Sequence, residues 1–527
     1  MRSQHYLRTR RTLVIAAACA LLLPTGILSA QPDSGSPGRV TEIGSLSATP
    51  VGRADCGPGS DAASGPETGL QGDVPAADRD SRRSSRGYSC NIRQLGNYPG
   101  VGGGITSITF DHCAYIGTFF PGNLVGVEQG VQVLDVSDPT APVLTAVLNE
   151  PAMLAGTWES LKVNHERKLL VGTGAPFLTG AGLLSVYDLS DCAHPRLLNP
   201  GPGTNLAMPL PITAHEGGFS PDGNTYWASG VAPGLISAVD LTDPAAPRVI
   251  WQSLPGLSMH GFGFSADGNT MYLANNFGGM MILDVSAVQR RDPNPQVREL
   301  SHTTWTDGWA TQHNLPVTYD GTPYVFSVQE AGSGGVKIFD VTDGSRPQLV
   351  NTIKLEINLP DNQDVAMASA AGGSLFAYDA HYCAADRPAN PTALACGWTS
   401  SGIRVFDVGD PRAVREIAYY NPPARTGENT ELTNSPHALA SIIGPPVLAA
   451  PTLLQTILQG QFDLAQAVSN RTGMLALGDL STDWCFSAPE WRGTQLWTTC
   501  ADNGFLALQL SPSVYTPPAD QHSTIGS

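Results

Sequence analysis

Lysine is almost missing from this chain. Four of its 527 residues are lysine (Lys162, Lys168, Lys337 and Lys354), and Lys and Arg together number 29 against 46 Asp and Glu. A net charge of -17 leaves no basic face for nucleic acid. Charged residues of both signs reach only 14%, whereas there are 57 glycines and 42 prolines. That mix suits many short strands and tight turns and excludes an architecture of long helices. There is no CxxC pair for a zinc ribbon, and no GxSxG, HExxH, P-loop or dinucleotide fingerprint. Past the N-terminus no stretch approaches the ~20 consecutive apolar residues of a membrane span.

What the N-terminus does contain is a basic head, an apolar run from Leu13 to Leu23 and small residues at Ser29 and Ala30. This pattern predicts a cleaved signal over residues 1–30 and a secreted or extracytoplasmic mature chain without a transmembrane segment. Arg10-Arg11 fits a twin-arginine signal, and ordinary Sec signals also carry such pairs. Cys19 lies within the apolar run with Ala16 where a lipobox calls for Leu, which argues against a lipid anchor. Residues 31–88 are rich in Ser, Gly, Pro and Asp and read as a disordered linker; residues 516–527 form a tail. Eight cysteines remain after the signal, an even number that reads as disulfides in an exported chain. The expected pairs are Cys383 with Cys396 and Cys485 with Cys500; Cys90 with Cys113 and Cys56 with Cys192 complete one of several possible sets.

From about residue 89 to 515 the chain repeats itself. The unit is an apolar strand ending in Asp and stopped by a turn: "GVQVLDVSDPTAP" at 130, "LLSVYDLSDCAHP" at 183, "LISAVDLTDPAAP" at 235, "MMILDVSAVQRRDPNP" at 280, "VKIFDVTDGSRP" at 336, "IRVFDVGDP" at 403 and a worn "FLALQLSP" at 505. Between copies lie two further strands joined by a tight turn, as in "HGFGFSADGNTMYLAN". Four short strands per unit at this spacing describe a propeller blade, and seven copies predict an all-β, seven-bladed β-propeller of four-stranded antiparallel blades. Stacking blades around an axis covers both apolar faces of each sheet. The "VQVLDVSDPTAP" unit resembles the LVIVD repeat of exported bacterial β-propellers; the resemblance spans about 100 to 512 and implies a fold, not a chemistry. Two departures interrupt the period. Residues 379–402 enlarge a connection in blade six, and residues 421–473 insert a partly helical segment before the last blade, preferred here over an eighth blade. The Asp of each unit reads as a cap on backbone amides more readily than as a calcium ligand.

Histidine supplies the functional signal. Four places before the first-strand apolar residue of successive units stand Glu159, His215, His260, His313, Gln363 and Thr482. In a propeller these positions form an arc at one mouth of the axial channel. Three imidazoles there, with Glu159 or Gln363 beside them and His437 reaching in on a loop, are a ligand set for one divalent transition metal. Duplication alone would also place three histidines in one register, each bonding the next blade's backbone, and a metal-free acid–base or ligand-binding role fits the same residues. His381 is expected to belong to the loop braced by Cys383, and His112 and His165 to be solvated. Trp305, Trp309 and Trp398 are candidate stacking surfaces, and Asp361 with Asp364 a candidate acid and base. Two functions follow: a secreted binding module for an extracellular protein, glycan or small-molecule ligand of the cell envelope, or a metal-dependent lyase, oxygenase or hydrolase working at the channel mouth.

Overall fold

The computed structural model describes residues 39–43, 49–119, 129–154, 156–174, 182–206, 214–231, 234–256, 258–276, 279–308, 310–331, 334–369, 378–425, 428, 432–437 and 482–518. They form seven sheets, each built on four antiparallel strands in ladder order, with a fifth strand added to three of them. The innermost strands, in order of blade, are Ser107–Phe110, Lys162–Asn164, Ala214–Phe219, Met259–Phe264, Ala310–Tyr319, Tyr382–Ala385 and Glu490–Arg492. Successive inner strands pack on one another around an axis. The seven-bladed propeller expected from the repeats is therefore the fold.

The repeat's Asp has the capping role expected of it. Asp135, Asp188, Asp240, Asp284, Asp340 and Asp407 each accept the backbone N–H two residues on, at 2.8 to 3.2 Å. In four of them the second oxygen takes an arginine from the outer strand, as in Asp188 with Arg196 at 2.7 Å and Asp240 with Arg248 at 2.9 Å. Between blades the apolar faces of the strands interlock. Tyr115, Val131 and Val133 of blade 1 meet Leu161, Leu170 and Tyr187 of blade 2 in one buried cluster.

Ring closure was not legible in the repeats. The worn copy forms Gly504–Leu510, third strand of blade 7, and the fourth strand is Ile92–Tyr98 from the other end of the chain. The segment before it is not the linker its composition suggests. Arg39–Ile43 adds a parallel strand to the outer edge of blade 4, and Tyr88–Cys90 adds an antiparallel one to blade 6. Residues 49–88 are ordered between them, with Gln71, Asp73 and Val74 buried. The expectation of disorder is thus corrected for Arg39–Ile43 and from residue 49 onward. Two unpaired sheet edges are covered this way. A chain lacking residues 1–98 is expected to aggregate, because blade 7 would expose the bare edge of Gly504–Leu510; a soluble monomer with the parent's unfolding transition would contradict this.

Of the disulfides, Cys383–Cys396 and Cys485–Cys500 are as expected. The other four pair differently, as Cys56–Cys90 and Cys113–Cys192. Cys56 and Cys90 both lie in the N-terminal strap, and Cys113–Cys192 links blade 1 to the turn after the third strand of blade 2. Most of the 421–473 insertion, including its expected helix, lies outside the described residues. Trp398 is fully buried against Phe406, and Trp305 stacks on Phe339 at 5.5 Å, so both are packing residues and not open platforms. Trp309 lies outside the described residues.

Candidate metal centre on the propeller axis

A strand that alternates strictly can send only every second side chain to the axis. Three inner strands escape that limit through irregular pairing at their leading ends: the register shifts around His215 in blade 3, around His260 and Gly261 in blade 4, and around Gln312 in blade 5. A bulge turns two consecutive side chains toward one side. The result is two layers on the axis. The upper layer holds Glu159, His215, His260, Gln312 and His381, and the lower one Lys162, Glu216, His313 and Tyr382.

Glu159 is the hub of the upper layer. Its Oε2 lies 3.2 Å from His215 Nε2 and 3.5 Å from His260 Nε2, and its Oε1 lies 3.2 Å from His381 Nε2. Gln312 Nε2 donates to Oε1 at 3.0 Å and the Tyr382 hydroxyl donates to Oε2 at 3.1 Å. Glu330, on the second strand of blade 5 (Thr322–Ala331), adds a second carboxylate 3.5 Å from His381 Nε2 and 3.9 Å from His260 Nε2. The far side of His381 is fixed as well, since its Nδ1 lies 3.1 Å from the Phe486 carbonyl, which can only accept. The side chains of His215 and Glu330 are 11% and 12% exposed, while those of Glu159, His260 and His381 are at 2%, so the centre meets solvent on the His215 and Glu330 side.

The electrostatics follow from this crowding. Burial works to raise the Glu159 carboxyl, but His215 and His260 outweigh it and hold the group below its ordinary range. Burial works to lower His215 and His381, yet Glu159 and Glu330 hold both above theirs. Burial wins at His260, pushed down to about 4, and at His313, pushed down to about 3 with Lys162 adding to the effect. Burial also raises Glu216 to about 7 against the pull of Lys162.

Measured against the sequence, Glu159, His215 and His260 stand together as expected, with ligating atoms within 4.8 Å of one another. His313 does not join them. The bulge gives its place on Glu159 to Gln312 and leaves His313 in the lower layer, its ring 5.1 Å from that of Tyr382. Gln363 lies on a short helix, Gln363–Ser369, where its amide donates to the Leu359 carbonyl. The blade 6 position belongs to His381, whose loop turned out to be the inner strand pair closed by Cys383–Cys396. The register Cys383 opposite Cys396 was the signal available for finding it. His437 stands apart, its Nδ1 3.0 Å from Asp502. The neighbouring Asp483 accepts four N–H groups, from Trp484, Asp502 and twice from Asn503, which uses up its lone pairs. Asp361 and Asp364 are exposed, and the His165 ring rests 5.4 Å from Phe110. Glu330, Gln312 and Tyr382 carry no repeat signature.

Comparison with known proteins agrees with the fold. The LVIVD repeat family matches residues 124–149, across the third and fourth strands of blade 1. The chain is a seven-bladed β-propeller that carries an LVIVD repeat. No curated protein matches the LVIVD propeller's sequence. Among solved structures it is similar to a functionally unknown protein from Desulfotomaculum acetoxidans, at 12% identity over 61% of this chain and 90% of that one, with a TM-score of 0.41. It is also similar to the periplasmic gluconolactonase of Pseudomonas aeruginosa, at 14% identity over 60% and 82%, with a TM-score of 0.42. Likenesses this loose say nothing about what the LVIVD propeller does.

Proposed function

We propose that this propeller is an exported metal-dependent enzyme whose axis holds one divalent transition metal, ligated by Nε2 of His215, His260 and His381 and by the Glu159 carboxylate, with Glu330 on the solvent side. One observation carries the reading. Nε2 of His215, His260 and His381 converge on the Glu159 carboxylate at 3.2 to 3.5 Å, and the ligating atoms of Glu159, His215 and His260 lie within 4.8 Å of one another. In the metal-free protein the raised His215 and His381 offer protons to these carboxylates, and a metal ion would take the place of those protons. A single metal ion satisfies all three nitrogens and the carboxylate at once.

Three imidazoles and a carboxylate suit Zn, Mn or Fe. Such an ion supplies Lewis acidity to water or a substrate oxygen. The chain's own groups do the positioning: Gln312 and Tyr382 orient Glu159, and Phe486 sets the His381 ring. A module that binds partners at its rim has no use for five ionisable groups buried on its axis, which are costly to keep there. The partner favoured is therefore a glycan or small molecule reaching the His215 and Glu330 side. Export is supported by four disulfides and the N-terminal signal pattern. Among the described residues no helix is long and apolar enough to cross a membrane.

Elemental mass spectrometry on tag-free protein tests this. About one metal per chain is expected, lost in His260→Ala and His381→Ala but retained in His313→Leu and Gln363→Ala. Absence of metal after reconstitution with Zn, Mn, Fe and Cu would reject the centre and favour the reading of a module that binds its ligand at the rim.

A further inference from the structure

The third imidazole of the centre is held differently from the other two. His215 and His260 lie within inner strands of six residues, in blades 3 and 4, which contain no cysteine. His381 stands just ahead of a four-residue inner strand, Tyr382–Ala385. Its ring is fixed by the carbonyl of Phe486, which in turn lies ahead of the three-residue inner strand of blade 7, Glu490–Arg492. Strands this short supply few ladder hydrogen bonds, and neither His381 nor Phe486 belongs to one.

Each of the two adjoins a buried disulfide instead. Cys383, a short step past His381, is bonded to Cys396 on the facing strand, Ala393–Gly397, and Gly397 accepts the His381 N–H at 2.9 Å. Cys485, next to Phe486, is bonded to Cys500 on the second strand of blade 7, Gln495–Cys500. The two bridges meet at Gly397. A β-carbon there would lie 2.7 Å from the carbonyl oxygens of both Cys485 and Ser487, so blade 6 runs against the backbone around Phe486 with no room for a side chain. The Cys485 N–H donates to the Thr399 carbonyl at 3.0 Å, and the Thr399 hydroxyl donates to the Asp379 carbonyl at 2.9 Å, just ahead of His381. The backbone N–H and the ring Nδ1 of His381 are thus both set by residues that the two disulfides hold in place.

We infer that Cys383–Cys396 and Cys485–Cys500 are positioning groups of the metal centre. With Gly397 between them they set the place and ring orientation of His381, and through it the affinity for the metal. A chain in which these cysteines stay unpaired offers the ion His215, His260 and Glu159 without a fixed third imidazole. Partners that orient a ligand in this way change metal affinity by about 10–100-fold. Cys56–Cys90, within the strap, and Cys113–Cys192, between blades 1 and 2, touch no ligand and serve stability alone. The role in affinity rests on the proposed metal centre; the orientation of His381 does not.

Two measurements separate them. In the metal-free protein the His381 Nδ1 hydrogen, donated to the Phe486 carbonyl, is expected to give a slowly exchanging imidazole resonance in nitrogen-labelled NMR, assigned by its loss in His381→Ala. It should exchange fast when Cys383→Ala is combined with Cys396→Ala, or Cys485→Ala with Cys500→Ala. Slow exchange persisting in both folded pair variants would overturn the positioning role. Titration of Zn²⁺ against a competing chelator should show affinity weakened about tenfold or more in those two pair variants. It should be unchanged when Cys56 and Cys90, or Cys113 and Cys192, are both replaced by Ala, although all four variants lose thermal stability. Equal affinity in all of them and the wild type, or equal losses in all four, would overturn the role in affinity. Gly397→Ala keeps every disulfide and should weaken Zn²⁺ in the same way; unchanged affinity in it would overturn the role where neither pair variant folds. A wild type that takes no metal would remove the role in affinity with the centre itself, while the orientation of His381 would stand or fall on the resonance.

Discussion

Glu159→Ala should destabilise the metal-free protein by about 3–5 kcal/mol, the range seen when one partner of a buried charge cluster is removed, and should abolish metal binding. The change strips one carboxylate from His215, His260, His381, Gln312 and Tyr382 together. Urea unfolding measures the loss, and Glu159→Gln, which keeps the volume, separates charge from shape. The pH dependence should change with it. His215 and His381 are held above the ordinary imidazole range, so in the metal-free protein they contribute stability that is fully present below their unfolded-state values and is lost as the pH rises through the raised ones. Glu159, held low, contributes stability above the ordinary carboxyl range that is lost as the pH falls. Glu159→Ala should remove its own contribution and most of that of the two histidines. A variant with the parent's stability and pH profile would mean that Glu159 is not the hub.

The second large effect is expected far from the axis. Arg404, with 1% of its side chain exposed, bonds Glu67 at 2.9 Å and Glu416 at 3.0 Å and lies over the Tyr419 ring at 4.6 Å. Gln71 completes the group by donating to Glu416 at 3.0 Å. Glu67 and Gln71 come from the N-terminal strap, and Arg404 and Glu416 from blade 6, so this network fastens the one to the other. Arg404→Leu leaves two buried carboxylates facing each other without a cation. A loss of about 3–5 kcal/mol is expected, together with new protease sensitivity between Cys56 and Cys90. Arg196→Leu is the control: its bond to Asp188 is as short, at 2.7 Å, but the arginine is 70% exposed, and a change of no more than about 0.5 kcal/mol is expected. Equal losses in the two variants would deny the strap its special attachment.

The propeller could be read from the chain because each blade repeats the same physical solution, an apolar strand closed by an Asp-capped turn. The closing strand Ile92–Tyr98 and the strap could not, because neither repeats anything. Residues 49–88 look disordered by composition since they bury few apolar groups of their own and borrow the edges of blades already formed. Their order comes from polar contacts such as Arg404 with Glu67, whose partners lie more than three hundred residues apart. At the site, strict counting found Glu159, His215 and His260 because their strands share one offset. It failed by one residue at His313, where a bulge in a ten-residue strand brings Gln312 forward. It failed outright at His381, because the first strand of blade 6 was expected just after Gln363 and residues 379–402 were read as a connection, whereas that connection carries the inner strand Tyr382–Ala385. Glu330 comes from a second strand and was beyond any first-strand alignment.

The most direct test of the centre is anomalous diffraction from crystals of the metal-reconstituted protein, recorded on both sides of the metal's absorption edge. The account predicts one anomalous peak on the propeller axis, about 2.0–2.2 Å from Nε2 of His215, His260 and His381 and from an oxygen of Glu159. A peak elsewhere, or none in crystals that contain the metal at high occupancy in solution, would contradict it.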